Sequence, residues 1–292
     1  MIDHVLIATD GSDCGTRAAR AGVELAATYD AAATVVVAAV GELSTADAER
    51  VVEDVSGIGA KSQVTVRTRV SSDRPRVAIL EAADDVDADV VAMGRHGHTN
   101  LGERLLGGVT ERVLRTTDRP VLTVPGTGGG LGDYENVLVT SDGSDAARAA
   151  VRPGTDLAST YGATLHVLSV VDVVREAGAF NAGGVDQAYV DDLVEDAASD
   201  LDVFAAACEE ALEHGGRGDA DAHGDDAVAI EQSVRTGTPS EEIAAYVDDA
   251  GVDLVAMAST GQGSLAGQLL GSTTDRVVRT VDVPVLVVPG TD

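Results

Sequence analysis

The chain repeats itself. Asp89–Thr116 reads DVVAMGRHGHTNLGERLLGGVTERVLRT and Asp253–Thr280 reads DLVAMASTGQGSLAGQLLGSTTDRVVRT; aligned without gaps, 14 of 28 positions are identical. His4–Asp13 (HVLIATDGSD) matches Asn136–Asp145 (NVLVTSDGSD), and RPVLTVPGT from Arg119 matches VPVLVVPGT from Val283. A tandem duplication means that each copy is a supersecondary unit in its own right, so what one copy folds into predicts the other. In 292 residues this leaves one ordinary domain per copy, each long enough for a hydrophobic core. The expected boundaries are residues 1–127, a glycine-rich linker at 128–135, and 136–292. The second copy is 32 residues longer, and the excess lies between its second and third strands as an acidic insertion at about 172–226. Within it Val185–His214 reads as an acidic helix and Gly215–Asp226 as a solvated loop.

Short apolar runs alternate with amphipathic stretches in each copy. In the first, strands are expected at Val5–Thr9, Thr34–Val40, Gln63–Val70, Asp89–Gly94 and Val121–Val124. Asp10-Gly11-Ser12-Asp13 supplies a turn and a cap for a helix at about Cys14–Tyr29. Ser44-Thr45-Ala46-Asp47 is a capping box for a helix to about Val55, and Pro75 opens a third. The second copy begins the same way, with Val137–Thr140, a helix to Tyr161 and a strand at Thr164–Val171. This alternation predicts α/β architecture: two tandem five-stranded, mostly parallel sheets with helices on both faces. The last strands, Val121–Val124 and Val285–Val288, would be apolar edges. Pairing them antiparallel closes both and makes a pseudo-twofold dimer within one chain; a further dimer of chains is left open.

Composition excludes some functions. Net charge is −29 and aromatics are 2% with no Trp, so neither a polyanion surface nor a stacking platform for nucleic acid is expected. One lysine, Lys61, stands against 19 arginines, a lysine-poor acidity that resembles proteins of salt-loving cells. The two cysteines, Cys14 and Cys208, occupy non-equivalent places, which argues against a framework disulfide and for a reducing compartment. The chain opens on a strand rather than a leader, and no apolar run approaches a membrane span, so a cytoplasmic location is expected. His214 and His223 match no metal-ligand spacing, and no metal is expected.

The chemistry sits in the repeated stretch. In the first copy an apolar strand ends at Met93-Gly94, Gly97 and Gly107 follow, and a helix starts near Val109. Glycines let backbone N–H groups approach an anion, and a helix N-terminus adds unpaired donors and partial positive charge. The spacing G-x2-G-x9-G-[S/T] after such a strand resembles the nucleotide motif of the universal stress protein family. The resemblance covers nearly the whole chain. It implies an adenine nucleotide alpha hydrolase-like, Rossmann-like fold, dimers through the last strand, and a family of ATP binders and non-binders. Each copy departs once. Gly94, Gly97 and Gly107 match in the first, but Gly108 replaces Ser or Thr. Gly261, Gly271 and Ser272 match in the second, but Ala258 replaces the first glycine.

The resemblance implies roles. Asp10, with Asp142 its counterpart, would lie near adenine and ribose. Val40 and Val170, at the ends of the second strands, would meet adenine. Met93 and Gly94 would line the ribose side, and Gly97, Gly107 and Gly108, followed by Val109, would cradle phosphates. In the second copy Gly261, Gly271 and Ser272 would do so. Arg95, His96, His98 and Arg104 face a single acid, Glu103, between the first copy's glycines, whereas the second copy's loop has no charge. ATP, accompanied by Mg2+, is therefore expected mainly in the first copy, with Asp73 a charge that would oppose it. No catalytic constellation or P-loop ending is present, so no enzyme is expected, with slow ATP hydrolysis or adenylation as a minor alternative. A nucleotide-free interaction protein is the alternative. Ser141-Asp142-Gly143-Ser144-Asp145 is similar to the adenylating loop S-G-G-x-D-S but has Asp142 for the first glycine and Ala146 for the last serine.

Overall fold

Local capping chemistry starts the elements where the sequence places it. The computed structural model describes residues 2–41, 43–97, 105–128, 131–173, 187–215, 227–261 and 270–290. Ser12 has extended backbone and its hydroxyl accepts from Gly15 N at 3.1 Å, opening helix α1 (Asp13–Tyr29) after strand β1 (His4–Ala8). After β2 (Ala32–Ala38), Ser44 accepts from Asp47 N at 3.2 Å and opens α2 (Thr45–Lys61). This helix runs past the expected end at Val55. Gly59 lets the helix close onto β3 (Val66–Ser71): a Cβ there would lie 2.5 Å from Val66 Cγ2. Pro75 is the first residue of α3 (Pro75–Asp85), and β4 (Val90–Gly94), α4 (Gly108–Leu114) and β5 (Val121–Val124) follow.

The second copy has β6 (Asn136–Ser141), a 3-10 turn (Asp145–Ala150), α5 (Val151–Tyr161) and β7 (Thr164–Val171). Where α1 is one helix, this segment restarts at Val151. Pro153 has no N–H to donate, which fits a first turn and not an interior. The insertion supplies α6 (Gln187–Gly215), close to the expected helix, while the expected loop at 215–226 lies almost wholly outside the described residues. Then come β8 (Ile230–Thr236), α7 (Pro239–Asp249), β9 (Leu254–Ala258), α8 (Ser272–Thr280) and β10 (Val285–Val288).

The chain divides into two compact units: residues 1–133 with 278–289, and 134–277 with 290–292. These are not quite the two copies, because the last strand of the second belongs to the first unit. In that unit five strands run parallel in the order β3-β2-β1-β4-β5, and β10 bonds antiparallel to β5, Leu286 opposite Leu122. In the second, four strands run parallel in the order β9-β6-β7-β8. Central strands are buried throughout, Val5–Ile7 and Val137–Val139 all at 0% exposure, as continuous apolar runs in a covered parallel sheet require. The linker begins under restraint: Arg17 Nε donates to the Pro125 carbonyl at 3.0 Å and its Nη2 to that of Gly128 at 3.3 Å. Both cysteines are buried free thiols. Among the described residues no helix is long and apolar enough to cross a membrane.

One carboxylate fastens the start of each unit's first strand. Asp89 Oδ2 accepts from Asp3 N at 2.7 Å and His4 N at 2.8 Å; Asp253 Oδ2 accepts from Glu135 N at 2.9 Å and Asn136 N at 3.0 Å. Hydrogen bonds to a charged acceptor contribute roughly 1.5–3 kcal/mol each. Asp253→Ala should therefore lower the urea unfolding free energy by about 2 kcal/mol or more, and an unchanged midpoint would contradict the latch.

His166 is buried in β7, its Nδ1 3.0 Å from Tyr246 Oη and its Nε2 3.2 Å from Asn136 Oδ1. Burial pushes its pKa below the ordinary 6.5, with Glu231 pulling the other way and Arg235 stacked on Tyr246 nearby. The unfolded chain takes the proton first, so stability is full above pH 6.5 and falls as pH drops below it. Denaturant titrations at pH 7 and 5.5 should show this loss, and His166→Gln should make it smaller.

Candidate functional site

The strand order sets where a ligand can enter. In the first unit the order reverses between β1 and β4, so the connections leaving those two strands turn to opposite sides and open a crevice at their carboxyl ends. Asp10 stands just beyond β1, and Gly94 ends β4 with Arg95, His96 and Gly97 after it. In the second unit the reversal lies between β6 and β9, which places Asp142 and Ala258–Gly261 equivalently.

The same bracket is built at both crevices. Asp10 Oδ1 accepts from Ser12 N at 3.0 Å and Ser12 Oγ at 2.6 Å; Asp142 Oδ1 accepts from Ser144 N at 3.1 Å and Ser144 Oγ at 2.5 Å. The other oxygen, Oδ2, lies so close to Gly97, and in the second unit to Gly261, that a Cβ on either glycine would collide with it. These glycines have ordinary negative-φ backbone; what requires them is the carboxylate opposite. Gly107 N donates to the Arg95 carbonyl and Gly271 N to that of Ser259, both at 2.7 Å. Thr110 Oγ1 donates to Gly94 O at 2.8 Å and Thr274 Oγ1 to Ala258 O at 2.9 Å, tying each helix start to its strand end. Sequence reasoning took Ser12 only as part of a turn and cap and Ser144 only as part of a loop resemblance, and passed over Thr110 and Thr274. The signal was there, since each pair is identical between copies.

Other expected residues fall differently. The cap of α4 is Gly107, and Gly108 is its first residue, where a side chain would meet only Arg112 at 3.5 Å. Val109 is half-buried in the first turn. Met93 is buried in β4 as core. Val40 lies two residues beyond β2, half-buried and followed by Gly41 at φ +68, whereas Val170 is still within β7. Gly94 serves packing: a Cβ there would lie 3.0 Å from both the carbonyl carbon and Sγ of Cys14. In the second copy Ala258 takes the place of Gly94, and the counterpart of Cys14 is Ala146, on a segment that begins as a 3-10 turn.

Arg95 is a correction. Its place in the loop predicted a phosphate contact, but its side chain is 2% exposed and its Nη2 donates to the Val283 carbonyl at 3.0 Å. Burial lowers its pKa to about 10, with Cys14 and Asp282 acting the other way, so it remains charged at neutrality. It anchors the segment before β10 instead of reaching the crevice. His96 packs on Gly126, where a Cβ would lie 3.2 Å from its Nε2. His98, Glu103 and Arg104 lie outside the described residues. Asp73 is exposed and folds onto its own turn, accepting from Ser71 Oγ at 3.0 Å.

In the second unit the crevice widens into a cavity of about 740 Å³. Its lining includes Asp142, Val170, Gly261, Gly271 and Ser272, all expected from the sequence. Helix α6 of the insertion adds a wall of Leu193, Asp196, Ala197, Asp200 and Leu201. This wall was not foreseen, since the insertion's path cannot be read from its composition. In the first unit the shorter α2 sets Val51 directly on Gly11: a Cβ on that glycine would lie 2.5 Å from Val51 Cγ2.

Two parallel α/β units with a glycine-bracketed loop at each switch point define a tandem doubly wound protein of Rossmann-like type. The model of the universal stress protein family matches residues 1–125 and 133–289, and the chain belongs to that family. A universal stress protein of Mycobacterium bovis is 27% identical over 237 residues, covering 79% of this chain and 71% of the relative. One from Methanocaldococcus jannaschii is 48% identical over 50 residues, 17% of this chain and 31% of that relative's length. The crystal structure of a universal stress protein from Archaeoglobus fulgidus superposes with a TM-score of 0.67 at 21% identity, covering 99% of this chain and 97% of that one, which shows a shared fold.

Gly94→Ala should destabilise the first unit by about 1–3 kcal/mol, the usual cost of an added methyl in a tight contact. Thermal unfolding of this variant measures it; a melting profile like that of the wild type would mean that α1 yields freely at Cys14.

Proposed function

We propose that this chain is a stress-response protein that binds an adenine nucleotide in a regulatory or sensing role, and that ATP with Mg2+ occupies the first unit. The observation that carries the proposal is the bracket at each switch point, in which an aspartate faces a glycine and a second glycine hydrogen-bonds back across the loop with the same partners in both copies. Such a bracket leaves a polar strand-tip cleft with a carboxylate for ribose hydroxyls and a helix start beside it for phosphate. Assigning the triphosphate to the first unit is supported by charge. The second unit's cavity is lined by Asp142, Asp172, Asp196 and Asp200 against Arg276, while the first copy's glycine loop carries His96, His98 and Arg104 besides the buried Arg95.

The same reading takes the protein to be cytoplasmic and from a salt-rich cell, supported by a net charge of −29 and a single lysine. Pairing of the two copies through their last strands is supported by the antiparallel register of β5 and β10 within the first unit. A second reading, an interaction protein without nucleotide, is favoured by the burial of Arg95 away from the crevice.

Thermal unfolding in molar KCl with ATP and Mg2+ separates the two. Ligand at about 100 times its dissociation constant should add roughly 2.7 kcal/mol to the stability of the wild type. Gly97→Val should abolish the shift and Gly261→Val should keep it. No shift in the wild type would favour the interaction protein, and a shift lost only in Gly261→Val would move the ATP site to the second unit.

A further inference from the structure

The two crevices are framed alike but lined differently, and the difference is chemical. The lining of the second cavity includes Thr140, Ser169 and Ser240, 9%, 8% and 7% exposed. The equivalent positions of the first copy are Ala8, Val37 and Arg76. The Ser169 and Ser240 hydroxyls form no hydrogen bond among the described residues, so they remain available to whatever fills the cavity. Leu168, Val170 and Val171 of β7 and Ile243 of α7 add apolar side chains to the lining. The cavity, about 740 Å³, falls within the ordinary size of small-molecule sites, roughly 300–1,000 Å³.

Charge decides which small molecule. Four aspartates and one arginine line the space, and two of the aspartates, Asp196 and Asp200, come from the insertion helix that the first copy lacks. Carboxylates lining a cavity accept from sugar hydroxyls and repel phosphate oxygens. In molar salt the screening length is about 3 Å, so distant charges fade while those at contact still act. A buried hydroxyl left without a partner by the wrong ligand adds to the discrimination.

We infer that the second unit's cavity is a nucleoside site, taking the base and sugar of an adenosine-like ligand among its apolar and hydroxyl side chains and rejecting a polyphosphate tail. The inference rests on reading the strand-tip crevices as adenine-nucleotide sites, and it gives the second copy a ligand of its own. On this view the insertion is the selectivity element: α6 closes one side of the cavity and brings the charges that exclude ATP.

The test uses the full-length chain in molar KCl, titrated calorimetrically with adenosine, AMP and ATP with Mg2+, in the wild type and in Gly97→Val. Adenosine should bind Gly97→Val at least about tenfold more tightly than ATP, with AMP between them. Asp196→Asn/Asp200→Asn, at exposed helix positions, should narrow that gap by strengthening ATP alone. Ser240→Ala should weaken adenosine about threefold or more, the worth of one hydrogen bond. If ATP binds Gly97→Val as tightly as adenosine, or adenosine does not bind it, the nucleoside assignment is overturned while ATP binding by the wild type still upholds the family-type site. If neither ligand binds the wild type, the adenine-nucleotide reading falls as well. An ATP affinity unmoved by the double asparagine variant overturns the role given to α6.

Discussion

A carboxylate at the tip of a buried parallel strand governs both crevices. Asp10 must hold the turn into α1 through Ser12 while keeping its second oxygen turned to the β4 loop. Both hold only if the residue opposite has no side chain, and that residue is Gly97. The repeat of this arrangement at Asp142, Ser144 and Gly261, in a copy that has diverged at half of the compared positions, marks it as the constraint around which the loop, the helix start and the strand end are placed. Thr110 and Thr274 then lock the far side, each bonding its helix to the last carbonyl of the strand.

Much of the fold was legible because its signals are local. Ser12 and Ser44 name their own helices, Pro75 names a third, and continuous runs such as Val35–Val37 fit only a buried strand. Errors arose where tertiary contact overrode a local rule. The helix expected to end near Val55 continues to Lys61, with Gly59 packed on Val66. Pro153 interrupts a helix that the first copy runs straight through.

The site was legible in its glycines and misread in its charges. Spacing placed Gly97, Gly107, Gly261 and Gly271 correctly at the strand tips, because a covalent repeat preserves register. A long side chain carries no such guarantee. Arg95 sits in the loop by sequence, yet its guanidinium finds the Val283 carbonyl, a partner 188 residues away along the chain. Gly94, expected to line the ribose side, also packs closely on Cys14. The surroundings that distinguish the two crevices, Val51 over one and α6 beside the other, come from the connections between second and third strands, where the copies share least.

The placement of β10 bears on how the protein is born. Residues 278–289 belong with 1–133, so the first unit draws on two stretches of sequence far apart along the chain. During synthesis β5 is made long before its antiparallel neighbour, and its apolar edge stays open while more than half of the chain is still being translated. The first unit is thus finished only after the second copy has been made.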